Sequence, residues 1–234
     1  MVLLKGVTSS GKTEIYNELI NEKLNKNKQI LHLVPEISIT SQMILRLQNR
    51  FGNMVIVYHS KYSQEQRTEI WKKVIKNDSK ARVVIGARSS IFLPYNNLGL
   101  VIVDEEHENA YKQFNPAPRY HARDSAIFLS SLHKSKTLLG SATPSLESYF
   151  NAVTNKYGLV TLNKRYGNVD LPKIIINDLR ESFSKKMMIG NFSKILLKNI
   201  KKTIDNEEQV ILFQNRRGHS PYLECSSCGF VYQC

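Results

Sequence analysis

The stretch that most constrains this chain is Gly6-Val7-Thr8-Ser9-Ser10-Gly11-Lys12-Thr13. An apolar run, Val2-Leu3-Leu4, precedes it, and a helical pattern with Ile15, Leu19, Ile20 and Leu24 follows. Strand, glycine-bounded loop, Lys-Thr and helix in that order make a phosphate-binding loop. Backbone N–H groups of such a loop and of the helix N-terminus face a polyphosphate. Lys12 brings a positive charge to the outer phosphates, and the Thr13 hydroxyl is suited to ligate Mg2+. Gly6 and Gly11 are expected where a Cβ would clash. The flanking strand and helix favour this reading over a Ser/Gly turn that merely caps a helix.

The rest of the chain continues the alternation. Apolar runs at 29–34, 54–58, 82–85, 98–103 and 136–139 read as strands. Helical spacing covers 39–51, 63–77, 121–133 and 145–155, with Ser63 and Gln66 at the positions of a capping box. Strands alternating with helices imply an α/β fold, a parallel sheet flanked by helices on both faces. The pattern then loosens: strands are expected at 157–162 and 173–177, a boundary near 185, a helix over 193–204 and a strand over 209–214. The length of 234 residues fits one large or two modest domains, and an apolar content of 41% excludes a disordered chain. No run reaches transmembrane length and no signal-peptide pattern opens the chain, so a cytoplasmic location is expected. Thirty-three Lys and Arg against twenty Asp and Glu give a net charge of +13. That excess points to a polyanionic partner, nucleic acid first, although a Lys- and Asn-rich composition also contributes to it.

Two further strand ends carry chemistry. Leu100-Val101-Ile102-Val103 runs into Asp104-Glu105-Glu106-His107. Beside a phosphate loop, Asp104 is placed to hold Mg2+, usually through a water, and Glu105 to orient or deprotonate an attacking water. Gly140-Ser141-Ala142-Thr143-Pro144 ends another strand, where small hydroxyl side chains sense a neighbouring phosphate or carboxylate, or cap the helix beginning near Ser145. Open α/β sheets bind ligands at that edge. All three cysteines lie in the last ten residues; Cys225 and Cys228 have zinc-knuckle spacing, and Cys234 is a third thiol where a tetrahedral site needs four ligands. Starting on a core strand and stopping inside this motif, the chain reads as a fragment of a longer protein.

The phosphate loop, Asp-Glu-Glu-His and Ser-Ala-Thr, in this order and at these separations, resemble motifs I, II and III of superfamily 2 helicases. Leu33-Val34-Pro35-Glu36-Ile37, Gly86-Ala87-Arg88-Ser89-Ser90-Ile91-Phe92, the segment 111–124 and Asn215-Arg216-Arg217-Gly218 before the cysteines narrow the resemblance to the PriA family of primosomal replication-restart helicases. The resemblance covers nearly the whole chain. It implies a RecA-like helicase lobe over 1–185, the start of a second lobe over 186–220 and a truncated zinc-binding segment over 221–234. It also implies an ATP-dependent 3′–5′ DNA helicase with ATP, Mg2+ and, in the intact protein, Zn2+ as cofactors. Single-stranded and forked DNA, other primosome proteins and single-stranded DNA-binding protein are the partners it implies. Lys12, Thr13, Asp104 and Glu105 match the family's ATPase residues. The segment 111–123 matches its aromatic-rich loop, with Tyr111, Phe114 and Tyr120 as stacking faces and Lys112, Arg119 and Arg123 as phosphate contacts. Arg88 and Ser89 resemble its DNA-backbone contacts. Cys225, Cys228 and Cys234 would be the first three of eight zinc-binding cysteines. Ser9 stands where the family commonly has glycine, which raises the question of backbone strain there. Little turnover is expected of the fragment alone. Another superfamily 2 translocase and a non-catalytic ATP- or zinc-binding piece are the alternatives.

Overall fold

The computed structural model describes residues 1–36, 39–59, 61–170, 172–213, 228 and 230. They form two compact units, Met1–Leu171 and Pro172–Cys234. The boundary expected near residue 185 lies inside the second.

Seven strands build the first unit: β1 (Val2–Gly6), β2 (Gln29–Leu33), β3 (Val55–Tyr58), β4 (Val83–Gly86), β5 (Leu98–Asp104), β6 (Lys136–Ser141) and β7 (Gly158–Leu162). They hydrogen-bond in the order β3-β4-β2-β5-β6-β1-β7, and every pairing is parallel. All seven therefore end at the same edge, which gathers the phosphate loop after β1, Asp104 at the end of β5 and Ser141 at the end of β6. The first strand is interior: Val2 pairs in register with Leu138 of β6 and with Gly158 of β7.

Side chains alternate across each strand, so one sheet feeds two cores. Leu3, Leu31, Leu33, Val84, Val101 and Val103 share one core with Ile70, Val74, Ala122, Ala126 and Ala152. Those partners lie on α3 (Gln64–Ile75), α4 (Ala122–Leu132) and α5 (Leu146–Val153). Leu4, Ile30, Val83, Ile85, Leu100 and Ile102 share the other with Tyr16 and Ile20 of α1 (Lys12–Leu24) and with Leu47 and Phe51 of α2 (Ser41–Phe51). The result is the expected layered α/β arrangement with helices on both faces. Helix starts follow capping chemistry: Ser63 and Gln66 exchange both bonds of a capping box at α3, and Thr40 accepts from the Met43 N–H, so α2 begins two residues later than its apolar spacing alone indicates. No helix among the described residues is long and apolar enough to cross a membrane.

The second unit contains α6 (Leu179–Ser184), an antiparallel pair β8 (Met188–Ile189) and β9 (Phe192–Ser193), and α7 (Lys194–Asp205). Ser193 caps α7 by accepting from the Leu196 N–H, close to the expected helix. The two expected strands are corrected here. Residues 173–177 are not extended into a ladder, and neither are residues 209–213; Gln214 lies outside the described residues. Their apolar, β-branched side chains stay exposed, Ile176 and Ile211 at 91% each. A strand forms only where neighbours satisfy its N–H and C=O groups, and the described residues of this unit offer a ladder of two residues per strand.

Candidate ATP site and nucleic-acid loop

The phosphate loop bends back on itself before α1 begins. The Ser10 N–H donates to the Val7 carbonyl at 3.1 Å, and the Tyr166 N–H to the Ser9 carbonyl at 2.8 Å. The two glycines serve different purposes. A Cβ at Gly6 would lie 2.6 Å from Ser10 Oγ and 3.0 Å from Lys12 Cγ, so the close approach itself excludes a side chain. Around Gly11 there is open space, and the requirement is its φ of 88°; the clash expected at Gly11 is replaced by a conformational demand. Ser9 also adopts a left-handed conformation, φ 63°. A non-glycine residue there costs on the order of 1 kcal/mol or more, which answers the question of strain at Ser9. Lys12 Nζ donates to the Gly6 carbonyl at 2.9 Å, holding its charge across the loop.

Asp104 is the last residue of β5, and one of its oxygens is heavily used. Oδ1 accepts from the Tyr16 hydroxyl at 2.8 Å and from the Glu105 N–H at 3.1 Å. Thr13 and Asp104 line the same cleft of about 590 Å3, between α1 and α2, with Tyr16, His32 and Arg46. A hydroxyl and a carboxylate facing one space, beside a loop tight enough to need Gly6, form a hard-oxygen set that fits a phosphate-bound Mg2+. Glu105 follows in a left-handed conformation, φ 46°. Burial first, and the Asp104 charge second, raise its carboxyl above the usual carboxylate value; the charges of Lys12 and His107 oppose this. A carboxylate with raised proton affinity, within the field of the Lys12 ammonium, is suited to take a proton from water.

Glu106 points the other way and is fully buried. Arg123 Nη1 donates to its Oε2 at 2.9 Å, the Ser145 N–H to its Oε1 at 2.7 Å, and the Ser148 hydroxyl to Oε2 at 2.8 Å. Its own N–H donates to the Gly140 carbonyl at 3.1 Å. His107 lies against the end of β6: its Nδ1 is 2.8 Å from Ser141 Oγ and its Nε2 3.3 Å from Thr143 Oγ1. The small hydroxyl residues therefore grip the histidine of the acidic segment, while Ser145 both caps α5 and binds Glu106. Sequence reasoning overlooked Tyr16 and gave no role to Glu106 or Ser148, although both stand within the motifs it singled out. A tyrosine on the buried face of α1, which needs a partner for its hydroxyl, was the one available signal.

The expected DNA residues separate into two groups. Phe114 is 58% exposed with Lys112 Nζ 5.1 Å from its ring centroid, and Arg119, in the same segment, is exposed. Tyr120 is half-buried and packs edge-on against Phe92 at 5.0 Å between centroids. Arg88 and Ser89 lie in a turn after β4, and Arg88 Nη1 reaches the Lys112 carbonyl at 3.4 Å. The segment 112–121 closes on itself through a bridge between Lys112 and His121. Tyr111 and Arg123 are corrected. The Tyr111 ring is 1% exposed and its hydroxyl donates to the Asp104 carbonyl at 2.6 Å, so it offers no free face to a base. Arg123 is 8% exposed and committed to Glu106, so it offers no free donor fork to a phosphate. Burial holds the Tyr111 hydroxyl far above the ordinary tyrosine value, so it remains a donor.

Cys228 is exposed and not in a disulfide; Cys225 and Cys234 lie outside the described residues, as do residues 215–218. Among the described residues, no three His, Cys, Asp or Glu side chains are grouped to hold a metal.

Comparison with known proteins decides the family. The profile of the DEAD/DEAH box helicases matches residues 1–151. The chain belongs to this family. It is similar to the replication restart protein PriA of Rickettsia felis, with 48% identity over 99% of this chain and 35% of that protein. It is also similar to PriA of Bacillus subtilis, with 45% identity over 99% of this chain and 28% of that protein. The chain thus spans about a third of the length of the curated relatives it matches. Among solved structures, RecG bound to a three-way DNA junction aligns with 72% of this chain and 21% of its own, at a TM-score of 0.51 and 22% identity. The helicase MrfA bound to DNA aligns with 70% of this chain and 25% of its own, at a TM-score of 0.50 and 16% identity. These likenesses identify the first unit as a RecA-like helicase lobe.

Proposed function

We propose that this chain carries the ATP-hydrolysing lobe of a primosomal DNA helicase that translocates 3′ to 5′ and acts in replication restart at stalled forks. One observation carries the reading: the acidic strand end that faces the phosphate loop is bonded on either side of Glu105 to the two ends of an aromatic, basic loop. Tyr111 holds the Asp104 carbonyl and Arg123 holds the Glu106 carboxylate. Similarity to proteins named replication restart protein PriA supports the cellular role.

Lys12 meets the outer phosphates of ATP, and the residues from Gly6 to Thr13 wrap them with backbone N–H groups. Thr13 and Asp104 would hold Mg2+, which would neutralise phosphate charge when bound. Glu105 orients the attacking water and accepts its proton. Single-stranded DNA lies over Phe114 and Tyr120, with Lys112, Arg119, Arg88 and Ser89 on its backbone. A base stacked on Phe114 loads the closed segment 112–121, and the load reaches Glu105 through Tyr111 and Arg123.

The isolated 234 residues turn over slowly, because transition-state charge on the transferring phosphoryl group calls for an arginine from a second lobe. In the intact protein, Cys225, Cys228 and Cys234 join further thiols around Zn2+, a reading supported by the Cys225–Cys228 spacing and, for Cys234 and the further thiols, by the family resemblance alone. Primosome proteins and single-stranded DNA-binding protein are the proposed partners, and the cytoplasm the proposed location.

The test is ATP turnover by the intact protein with and without forked DNA. Lys12→Ala is expected to lower DNA-stimulated turnover about 100-fold or more; unchanged turnover would overturn the catalytic assignment. Preference for RNA over forked DNA in direct binding would move the chain to another branch of the superfamily.

A further inference from the structure

We propose that Tyr16 is a positioning residue for the divalent cation: by saturating Asp104 Oδ1, it turns Oδ2 toward the metal. The proposal rests on the ATP-hydrolysing reading above and adds to it a residue outside the phosphate loop and the acidic segment.

Tyr16 lies one helical turn after Lys12, on the face of α1 that packs on the sheet, and is 1% exposed. A buried tyrosine hydroxyl needs a partner, and here the partner is Asp104 Oδ1 at 2.8 Å. The Glu105 N–H donates to the same oxygen at 3.1 Å. Two donors on one oxygen fix the rotation of a carboxylate that would otherwise spin about its Cβ–Cγ bond.

The opposite wall of the arrangement is built for that hydroxyl. Gly140 of β6 stands in register with Asp104. A Cβ there would lie 1.8 Å from Tyr16 Oη. The glycine that opens the Ser-Ala-Thr segment therefore keeps a notch free for Tyr16, and the Gly140 carbonyl accepts the Glu106 N–H. Helix α1, the acidic strand end and the end of β6 meet at one phenolic oxygen. Groups that orient a metal ligand commonly matter to metal affinity nearly as much as the ligand itself.

Manganese binding reads this directly. The intact protein is titrated with Mn2+ in the presence of a non-hydrolysable ATP analogue, with bound metal followed by electron paramagnetic resonance. Tyr16→Phe removes one oxygen and is expected to weaken Mn2+ about 10-fold, with metal-free binding of the analogue unchanged and lost turnover recovered at high Mg2+. Gly140→Ala, which pushes the hydroxyl off Asp104, is expected to do the same and carries the test if Tyr16→Phe fails to fold. Normal Mn2+ uptake by the unmodified protein, with affinity within about twofold in the variants, overturns the proposal alone. An unmodified protein that takes up no Mn2+ with the analogue overturns the nucleotide reading and the proposal with it.

Discussion

Between Tyr111 and Arg123 the chain is bolted at both ends and open in the middle. The ends and the tip have similar composition, an aromatic and a base in each. At the ends, Tyr111 and Arg123 are buried and bonded to residues 104 and 106. At the tip, Phe114 and Arg119 face solvent. What separates them is the available partner. Glu106 sits inside the protein with no water to solvate it, and a buried carboxylate must find a cation. The tip has no such demand placed on it, and its aromatic and basic groups remain available to a polyanion. A residue type sets what chemistry is possible; burial beside an opposite charge sets which chemistry occurs.

The distinction can be broken by substitution. The largest effect is expected from Arg123→Ala, which strands Glu106 without its cation and should cost about 3–5 kcal/mol of unfolding free energy. Urea unfolding measures it, and a loss below about 1 kcal/mol would place Arg123 among surface residues. Phe114→Ala should leave unfolding within about 0.5 kcal/mol of the parent. The same change should weaken single-stranded DNA binding by about 1–3 kcal/mol, roughly 5- to 150-fold, in a fluorescence titration. A tip substitution that destabilises as strongly as Arg123→Ala would erase the contrast.

The smallest stability effect concerns Glu105. Burial raises its carboxyl above the usual value, so the folded state binds that proton more tightly than the unfolded chain. Ionised Glu105 therefore subtracts stability at neutral pH, and the subtraction fades as pH falls through the raised value toward the ordinary carboxylate range near ~4.3. Glu105→Gln should melt slightly higher than the parent at pH 7, with the gap closing toward pH 4. Its DNA-stimulated turnover should fall about 100-fold or more. A gap that widens in acid would show that the carboxylate is stabilised, rather than strained, by its surroundings.

Much of the first unit was legible because its signals are local. Apolar runs, the Ser63–Gln66 cap and three strand-end motifs are each contained in a few residues, and a parallel sheet aligns strand ends without further instruction. The strands expected at 173–177 and 209–214 would have needed neighbours that an apolar, β-branched run cannot specify. The reassignment of Tyr111 and Arg123 had the same origin. Glu105 and Glu106 are adjacent and chemically alike, and only the turn after β5 decides which lies in the field of Lys12 and which bonds Arg123. Tyr16 was hidden because its partner is 88 residues away.

The place of β1 in the sheet bears on how the protein comes to life on the ribosome. Val2 pairs with Leu138 and Gly158, so β1 has no neighbour in the sheet until most of the rest of this unit has been translated. At a synthesis rate of roughly 5–20 residues per second, the nucleotide cradle waits about 8–31 s for both strands that flank it. During that interval a nascent chain carries an unformed cradle, and nucleotide cannot help it fold. Competence for ATP arrives late, in one step, when β6 and β7 close around a segment made well before them.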